Sequence, residues 1–566
     1  MSTALIRNKA AKDFSRVPKI NVPRSAFKME YTRKMTLQED YLVPIFCKEV
    51  IPGDTWQMDI THFGRMASQI VPAMDNLKID TYFFFVPSRL VWEHFPNQMG
   101  ERENPDDTID YITPTIDMKS LTNGFEAKSI YDYMGLPINT PALTVSALPF
   151  RAINLIINQF FRDENLEESL TVKKDDSDDD PTLYKLWKKA KVSDYFTRAL
   201  PDIQKGEPVM LPIGTQAQVY GDGYALMCNY GQTTTTTGSL AGATGTKDFI
   251  KTAPNFIKNQ ANVKSGTIKA ASGIADNTAI GVATKEQANA YNSTTGLYTD
   301  LSEALGASIS AVRQAIATEE LLERDNRDGT RYTEMLEGRY GVSNPDLRLQ
   351  RPEYLGGTRN WLTQVPVTQT SATDTTSPQA NLAAYSITGD SGRVVNASFG
   401  EFGYVIGFMS IQGIPSYQQG IDRMWGRLRR FDYYYPEFAG LSDQAIYNKE
   451  IFAQGNNVKD ENGNIIDDLP FGYQERYAEY RNWQNEIVAD MRSTTTNNLD
   501  IYHFAEKFDQ LPKLNADFIK SNTPVSRVLA VQNEEHFIMD IAFDATLYRP
   551  MPVYGIPQIS SNLLLQ

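Results

Sequence analysis

The sequence of 566 residues contains few of the side chains that form disulfides or bind metals. It has two cysteines, Cys47 and Cys228, and four histidines. Two cysteines cannot build a disulfide framework and could pair only with each other. A zinc site usually needs four nitrogen or sulfur ligands in a tetrahedron, and the histidines are scattered. We therefore expect structural roles for the histidines and no metal or cofactor site.

Long apolar runs are also missing. The longest candidate, residues 147–161, is interrupted by Arg151, Asn154 and Asn158. It is too short and too polar to span a bilayer, and the first thirty residues lack the apolar core of a signal peptide. We expect no membrane span, and a soluble protein that is made and folded in a reducing cytoplasm.

The chain lacks an overall positive charge. It has 55 Lys and Arg against 69 Asp and Glu, a net charge of −14 and a pI near 5.0. Phosphate binding needs clustered cations, so this balance excludes nucleic-acid binding over the whole surface.

The charge is nevertheless uneven. Residues 1–34 carry nine cations and two acids, which gives +7 and leaves −21 on residues 35–566. With Pro18 and Pro23, this segment is predicted to be an extended basic arm. It is either a solvated tail or an arm that lies on nucleic acid. The candidate DNA contacts are Arg7, Lys9, Lys12, Arg16 and Lys19.

Aromatic residues, proline and glycine are abundant. There are 29 Tyr, 27 Phe and 6 Trp, with 29 Pro and 36 Gly, a mixture that favours strands and turns. Length alone suggests about four domains of ordinary size, although β-sandwiches with insertions can be longer. Strands are predicted at residues 41–46, 79–86, 403–411, 527–532 and 535–543, a type I′ hairpin turn at Asn462-Gly463, and helices at 152–161 and 305–316.

Residues 231–296 differ in composition from the rest. Thr, Ala, Gly, Asn and Ser make up 42 of these 66 residues, and only Phe249, Phe256 and Tyr291 are aromatic. A segment with so little large apolar surface cannot form its own core. We predict a surface insertion, and a passive flexible linker is the alternative.

Motifs that carry chemistry are absent or incomplete. Gly389-Asp-Ser-Gly392 is similar to a serine-protease nucleophile segment, but neither His62 nor His94 has the family's context, so we interpret it as a turn. The acidic run at 175–180 lacks the glycine and glutamate of an EF-hand and is interpreted as a solvated loop. Residues 239–247 lack the Gly-Lys pair of a phosphate loop. A structural or binding role fits better than catalysis.

Ordered blocks along the chain resemble the major capsid proteins of gokushoviruses, small single-stranded DNA phages of the microvirus group. The most specific are LQRPEYLGG (349–357), FGYQERYAEYR (471–481) and RPMPVYGIP (549–557). Further blocks are PGD (52–54), FFVPSRLVW (84–92), DYMGLP (132–137), ALPFRA (147–152), FRDENL (161–166), DYFTRALP (194–201) and YQQG (417–420). Two blocks depart from the family pattern. Phe402 replaces a usual histidine, and NEIVA (485–489) replaces a usual Ser-x-x-Thr-Gly.

The resemblance implies a mainly β protein. Its expected fold is a viral jelly-roll β-sandwich of two antiparallel sheets, spanning residues 35–566, with long loop insertions that contain some helix. It also implies a major capsid protein and not an enzyme. Copies would form capsid pentamers and a complete T=1 shell around a circular single-stranded DNA genome.

Further partners implied by the resemblance are a small basic internal protein, a DNA pilot protein and a host receptor. The protein would be assembled in the host cytoplasm and reside in the virion. Residues 231–296 would form a threefold protrusion that contributes to host attachment. The candidate attachment residues there are Thr233, Thr235, Thr237, Asn255, Asn277 and Tyr291.

The alternative function is a carbohydrate-active or glycan-binding β-sandwich. It requires a carboxylate pair in a cleft or an aromatic platform, and it predicts activity in a monomer. The 69 acidic residues do not single out such a pair.

Overall fold

A computed structural model describes residues 23–102, 104, 106–206, 219–221, 227–230, 280–283, 297–299, 309–328, 350–368, 382–531 and 535–554. The chain divides into two compact units, Met1–Ile203 with Asn326–Gln566, and Gln204–Asp325.

Strands dominate the described residues. In chain order they are β1 Ser25–Leu37, β2 Tyr41–Val50, β3 Thr55–Met66, β4 Leu77–Pro87, β5 Trp187–Lys188, β6 Val219–Gly221, β7 Met227–Tyr230, β8 Ile280–Ala283, β9 Leu297–Thr299, β10 Glu353–Gly356, β11 Arg359–Trp361, β12 Thr363–Thr368, β13 Leu382–Ser398, β14 Gly403–Gly413, β15 Gln444–Tyr447, β16 Pro470–Gln474 and β17 Phe537–Arg549.

The α-helices of the described residues are mostly short. They are α1 Phe95–Gln98, α2 Ile130–Tyr133, α3 Leu148–Ile156, α4 Ile309–Asp328, α5 Asn448–Ile451 and α6 Ala516–Ile519. A π-helical turn at Ile157–Phe161 continues α3. Several single 3₁₀ turns shape the loops between the late strands.

Two antiparallel sheets form the larger unit. The first has the order β1-β17-β3-β13-β12, and the second has the order β10-β4-β14-β2-β5, with β11 also pairing with β4. Strands β2 and β3 follow each other but lie in different sheets, where they pair with β14 and β13 respectively. This winding, in which an early two-strand ribbon pairs with a late one, is that of a jelly roll. The predicted mainly β jelly-roll sandwich is confirmed.

The main core lies between the two sheets. Strand β17 alternates buried and exposed residues, and its buried side contributes Met539, Ile541 and Phe543. Phe46 from the second sheet approaches Phe543 of the first at 5.0 Å between ring centroids. The alternation is that of a strand with one face on the core and one in water.

Strand β4 is buried on both faces. Phe83 and Phe85 face the core between the sheets, whereas Phe84 and Val86 pack in a second cluster with Ile153 and Ile156 of α3. A helix therefore covers the outer face of the second sheet. This explains why residues 79–86 are apolar without alternation, and it confirms both the predicted buried strand and the predicted helix at 152–161.

Other local predictions have mixed outcomes. The strands at 41–46, 403–411 and 535–543 are confirmed. The strand at 527–532 is wrong, because Val525–Arg527 is a 3₁₀ turn and residues 528–531 form no strand. A turn lies at Asn462-Gly463, where the Gly463 N–H donates to the Asp460 carbonyl, but only Gly463 has positive φ. Because type I′ requires positive φ at both central residues, that turn type is wrong.

The basic arm is shorter than predicted. Residues 25–34 belong to β1, which pairs with β17 along its whole length, from Ser25 opposite Arg549 to Leu37 opposite Phe537. The backbone there is extended, as expected, but it is an edge strand of the sandwich. Residues 1–22 lie outside the described residues.

The unit Gln204–Asp325 contains two small strand pairs. Strand β6 pairs with β9, and β7 pairs with β8. Most of α4 also belongs to this unit and overlaps the predicted helix at 305–316. The predicted insertion at 231–296 falls in this unit, but only its residues 280–283 are described. Its status as a surface loop stays a prediction.

Candidate functional site

The site residues predicted from sequence lie outside the described residues. This holds for the DNA-contact candidates Arg7, Lys9, Lys12, Arg16 and Lys19, and for the attachment candidates Thr233, Thr235, Thr237, Asn255, Asn277 and Tyr291. Both assignments therefore stay predictions. The functional surface that the structure describes has to be found elsewhere.

The remaining cations of residues 1–34 are held by the sandwich. Arg24 donates to Thr55, and Arg33 donates to the carbonyls of Ile45 and Tyr133. Lys28 and Lys34 pair with Asp544 and Asp540 on β17. All four side chains therefore have partners within the fold, although Arg24 and Arg33 contact neutral oxygens and the two lysine pairs are 3.7 Å long.

The protease-like segment is part of a strand and not a turn, so our interpretation of it as a turn is wrong. Ser391 lies in β13 opposite Thr61, which donates a hydrogen bond of 2.9 Å to its hydroxyl on the exposed face. His62 lies opposite Asp390 on the neighbouring strand, and its side chain is buried on the other face of the sheet. Because neighbouring residues of a strand point to opposite faces, the histidine cannot activate that serine.

The acidic run at 175–180 is a loop exposed to solvent, as interpreted, except for Asp179, which is buried. Arg151 of α3 is inaccessible to solvent and donates two hydrogen bonds of 2.8 and 2.9 Å to the Asp179 carboxylate. It also donates to the backbone carbonyls of Asp175 and Ser177. The Trp92 indole donates to Asp176 at 2.7 Å. Hydrogen bonds to the buried Arg151 thus fix the conformation of this loop.

The predictions about disulfide pairing and about metal sites fall only partly on the described residues. Cys47 forms no disulfide with a described residue, and burial raises the pKa of its thiol to about 12. The Cys228 side chain lies outside the described residues. Among described residues, His, Cys, Asp and Glu form no group of three or more able to hold a metal ion. None of the helices in that part of the chain is long and apolar enough to cross a bilayer.

Two of the specific sequence blocks serve the fold through glycine. A Cβ on Gly357 would lie 1.9 Å from the Thr81 carbonyl oxygen, where the chain between β10 and β11 runs along the edge of β4. A Cβ on Gly420 would lie 1.9 Å from the Glu450 carbonyl oxygen. Only glycine allows such close backbone approach. The LQRPEYLGG and YQQG blocks therefore carry packing constraints.

A surface rich in aromatic and arginine side chains lies beside the sandwich. We call residues 421–441 and 475–492 the aromatic–arginine patch. The two segments are in contact: Arg427 forms an ion pair of 2.9 Å with Glu479 and lies over the Tyr480 ring, and Tyr434 contacts the Tyr477 ring at 4.8 Å. The patch is thus one continuous surface. Its exposed large apolar side chains are Ile421, Met424, Trp425, Leu428, Phe431, Tyr433, Tyr434, Leu441, Tyr480, Trp483 and Val488.

The patch rests on a third buried cluster. Phe196, Tyr417, Ile446, Phe471 and Phe518 are among its members, drawn from β15, β16, α6 and the loops that contain residues 196 and 417. Their rings pack edge to face, for example Phe196 and Tyr417 at 5.1 Å. The patch is therefore a supported surface and not a set of loose loops.

Charged groups fix the base of the patch. Arg423 pairs with the buried Glu450 carboxylate at 3.1 Å, and the Tyr195 hydroxyl donates to the same carboxylate at 2.9 Å. Burial raises the pKa of Glu450, although Arg423 opposes this effect. Glu450 thus anchors the first segment through Arg423, and Glu479 of the second segment lies 3.8 Å from the same arginine.

Sequence reasoning missed this patch. The signal was visible in WGRLRRFDYYYPEF at residues 425–438, where aromatic and arginine residues are interleaved. A single sequence does not say whether such side chains are core or surface. Their exposure depends on the late loops forming a separate cluster outside the sandwich.

The described residues thus form a jelly roll that carries a large exposed aromatic surface. The model of the family "Capsid protein (F protein)" matches residues 15–559.

Curated relatives match over almost the whole chain. Capsid protein VP1 of Bdellovibrio phage phiMH2K is 43% identical over 553 residues, covering 96% of this chain and 97% of the relative. Capsid protein VP1 of Chlamydia phage 1 is 37% identical over 584 residues, covering 96% and 97%. Capsid protein VP1 of Spiroplasma virus 4 is 34% identical over 568 residues, covering 97% and 98%.

The chain belongs to the capsid protein (F protein) family of microviruses and resembles its gokushovirus-type members. It is a structural capsid protein of the virion and not an enzyme. The Phe402 departure is accommodated locally, since Phe402 packs edge to face on Phe95 and the adjacent Glu401 pairs with Arg89 at 2.6 Å.

Proposed function

We propose that this chain is the major capsid protein of a T=1 icosahedral shell that encloses a circular single-stranded DNA genome. The observation that carries the proposal is the match to capsid proteins over residues 15–559, on a jelly-roll sandwich of two antiparallel sheets. Assembly would proceed by repeated modest contacts between copies, through capsid pentamers, whose rotations close into a shell. It would take place in the host cytoplasm.

Genome enclosure is tested by whether the particles protect DNA from nuclease. Full-length protein is produced together with circular single-stranded DNA, and the particles are purified and treated with nuclease. We expect the DNA inside to survive and to be released as intact circles when the particles are disrupted. Particles of capsid size that protect no nucleic acid under any condition would contradict genome enclosure while leaving the shell itself standing.

The arm is proposed to contact that DNA. Residues 1–22 contain five cations and one acid, and the cations of residues 24–34 are engaged within the sandwich. Replacing Arg7, Lys9, Lys12, Arg16 and Lys19 by Gln should lower packaged DNA and weaken its salt dependence, with shells still forming, because fewer phosphates are neutralised. Replacing Lys28 and Lys34 by Gln is the matched control. Equal DNA content in both variants would assign the arm a structural role.

The insertion is proposed to contribute to host attachment. Its composition is rich in hydroxyl and amide groups that can hydrogen-bond to a host glycan or protein. Replacing residues 233–290 by a short Gly-Ser linker should spare folding and shell formation and reduce adsorption to host cells. A chain that fails to fold after this change would overturn the assignment as a peripheral loop.

Partners beyond the genome follow the same proposal. A small basic internal protein and a DNA pilot protein are expected to be recovered with the particles. Their presence is checked by mass spectrometry of purified virions. If purified virions contain this chain alone, both proposed partners are ruled out.

A further inference from the structure

We propose that the aromatic–arginine patch, residues 421–441 and 475–492, is a contact between copies of this chain, in which the patch meets the same patch of a second copy about a twofold axis. The inference rests on the proposed function as a shell subunit and adds the surface that joins two subunits.

Apolar exposure marks this surface. Among the described residues, Trp483 and Leu428 are the two most exposed large apolar side chains, at 97% and 87%. Phe431 and Trp425 beside them are also mostly exposed, at 63% and 67%. Large contiguous apolar patches on a folded protein mark interaction sites, and Trp, Tyr and Arg are the residues that dominate the energies of protein contacts.

The charge of the patch favours a second copy over DNA. The two segments contain seven arginines and seven acidic residues, so their net charge is zero. Surfaces that bind single-stranded DNA combine aromatic rings with an excess of cations. The patch has the rings without that excess. Exposed charges of both signs, such as Arg429, Arg430, Glu437 and Glu486, can instead pair with their counterparts on an identical surface.

The shape of the patch also allows it to meet itself. Two recesses of about 550 and 300 Å³ flank Trp425; they are lined mainly by polar and charged groups, with Ile421, Phe431, Ile487 and Val488 among their apolar residues. Protruding side chains and recesses therefore lie on one surface. A twofold contact needs such self-complementarity, since each copy offers the same patch to the other.

The patch is held rigid before any partner binds. The Arg427–Glu479 and Arg423–Glu479 ion pairs, at 2.9 and 3.8 Å, join its two segments at the base, above the buried Phe196–Tyr417–Phe471 cluster. A preorganised surface loses less conformational entropy on association.

The first test removes the two protruding side chains. The double variant Leu428→Ala, Trp483→Ala should fold as the wild type does, measured by circular dichroism and thermal unfolding, because neither side chain is buried in the subunit. We expect shell assembly, followed by sedimentation, to require about tenfold or more higher subunit concentration. Ile112→Ala, which changes an equally exposed side chain outside the patch, should assemble normally. Normal assembly of the double variant would overturn the proposal.

The second test asks whether the patch faces itself. Arg429→Glu with Arg430→Glu makes the patch acidic, and Glu437→Arg with Glu486→Arg makes it basic. Each variant alone should lose assembly, and an equal mixture should regain it, because opposite patches then meet across the axis. Lys459→Glu, on an exposed hairpin, is the control and should assemble normally alone. A mixture of folded variants that stays unassembled would overturn the twofold contact.

Failure of the proposed function gives a different result. If the wild type forms no shells, the shell proposal fails, and the patch is decided on the same sample by the monomer–dimer equilibrium in sedimentation. Dimers that the double variant lacks would support the patch. A wild type that is monomeric at the highest soluble concentration would overturn it as well.

Discussion

Arg151 shows how one side chain organises a loop that the sequence presents as a solvated acidic run. The arginine sits on α3, is inaccessible to solvent and satisfies Asp179 together with backbone carbonyls of the run. The Tyr184 hydroxyl donates to the same carboxylate at 2.6 Å. A buried guanidinium has five N–H donors that need acceptors, and this loop supplies a carboxylate and backbone carbonyls. The loop is therefore held against Arg151.

Replacing Arg151 by Met should therefore be strongly destabilising. The change leaves the Asp179 carboxylate buried without its cation, a loss of about 3–5 kcal/mol for a broken buried pair. Chemical denaturation of the full-length subunit gives the value. Arg393→Met is the matched control, because its pair with Asp59 is exposed and should contribute little. Equal losses of unfolding free energy for the two substitutions would contradict a large contribution from the buried Arg151–Asp179 pair.

His62 predicts a pH dependence of stability. Its ring is buried and neither ring nitrogen has a hydrogen-bond partner. Burial lowers the pKa of His62 below its ordinary 6.5, although Asp390 opposes this effect. The unfolded chain therefore binds a proton near pH 6.5 that the folded chain does not, and the free energy of unfolding falls as the pH drops below that value.

His62→Leu should remove this acid sensitivity. Between about pH 7.5 and about pH 5.5, the wild type should lose more unfolding free energy than the variant, measured by denaturation at each pH. His94→Ala, at a partly exposed histidine paired with Asp176, should keep the wild-type slope contributed by His62. The same slope in His62→Leu and wild type would show that another group causes it.

At the scale of elements, the sequence predicts strands well where one physical rule dominates. Strand β17 alternates because one face is in water, and β4 is uniformly apolar because α3 covers its second face. Residues 527–531 form a 3₁₀ turn and loop instead of the predicted strand, and Val525, Val528 and Leu529 belong to the main core. Local pattern indicates burial there but not the backbone conformation.

The close approach to β4 of the chain between β10 and β11 gives an element-scale prediction. Gly357→Ala should cost about 1–3 kcal/mol of unfolding free energy, because its Cβ would overlap the Thr81 carbonyl oxygen and force the strands apart. Thermal or chemical unfolding measures the loss. Gly400→Ala, where no atom lies within 4 Å of the added Cβ, should change stability by no more than about 0.5 kcal/mol. Similar stability of both variants would argue against the close approach.

At the scale of the molecule, the charged residues and the aromatic residues are both distributed unevenly. The net charge of −14 combines a basic N-terminus with an acidic body, which suits a shell that meets DNA on one side only. Some of the aromatic residues fill three buried clusters, and others remain exposed in the aromatic–arginine patch. Composition predicted the β class but not this division, which depends on long-range packing.

The candidate site was less predictable than the fold. Ordered sequence blocks led to the capsid family, and the comparisons confirm it. The blocks did not separate packing roles from contact roles, as Gly357 and Gly420 illustrate. The exposed patch was missed because exposure of Trp483 or Leu428 follows from the tertiary arrangement and not from local sequence.

The central claim is that this chain assembles into a closed shell. Electron microscopy of the purified full-length protein, with image reconstruction of any particles, tests it most directly. The account predicts uniform closed particles with T=1 icosahedral symmetry and this jelly roll as the repeating unit. Monomers under every assembly condition, together with glycan binding or hydrolysis by those monomers, would contradict it and favour a carbohydrate-active β-sandwich.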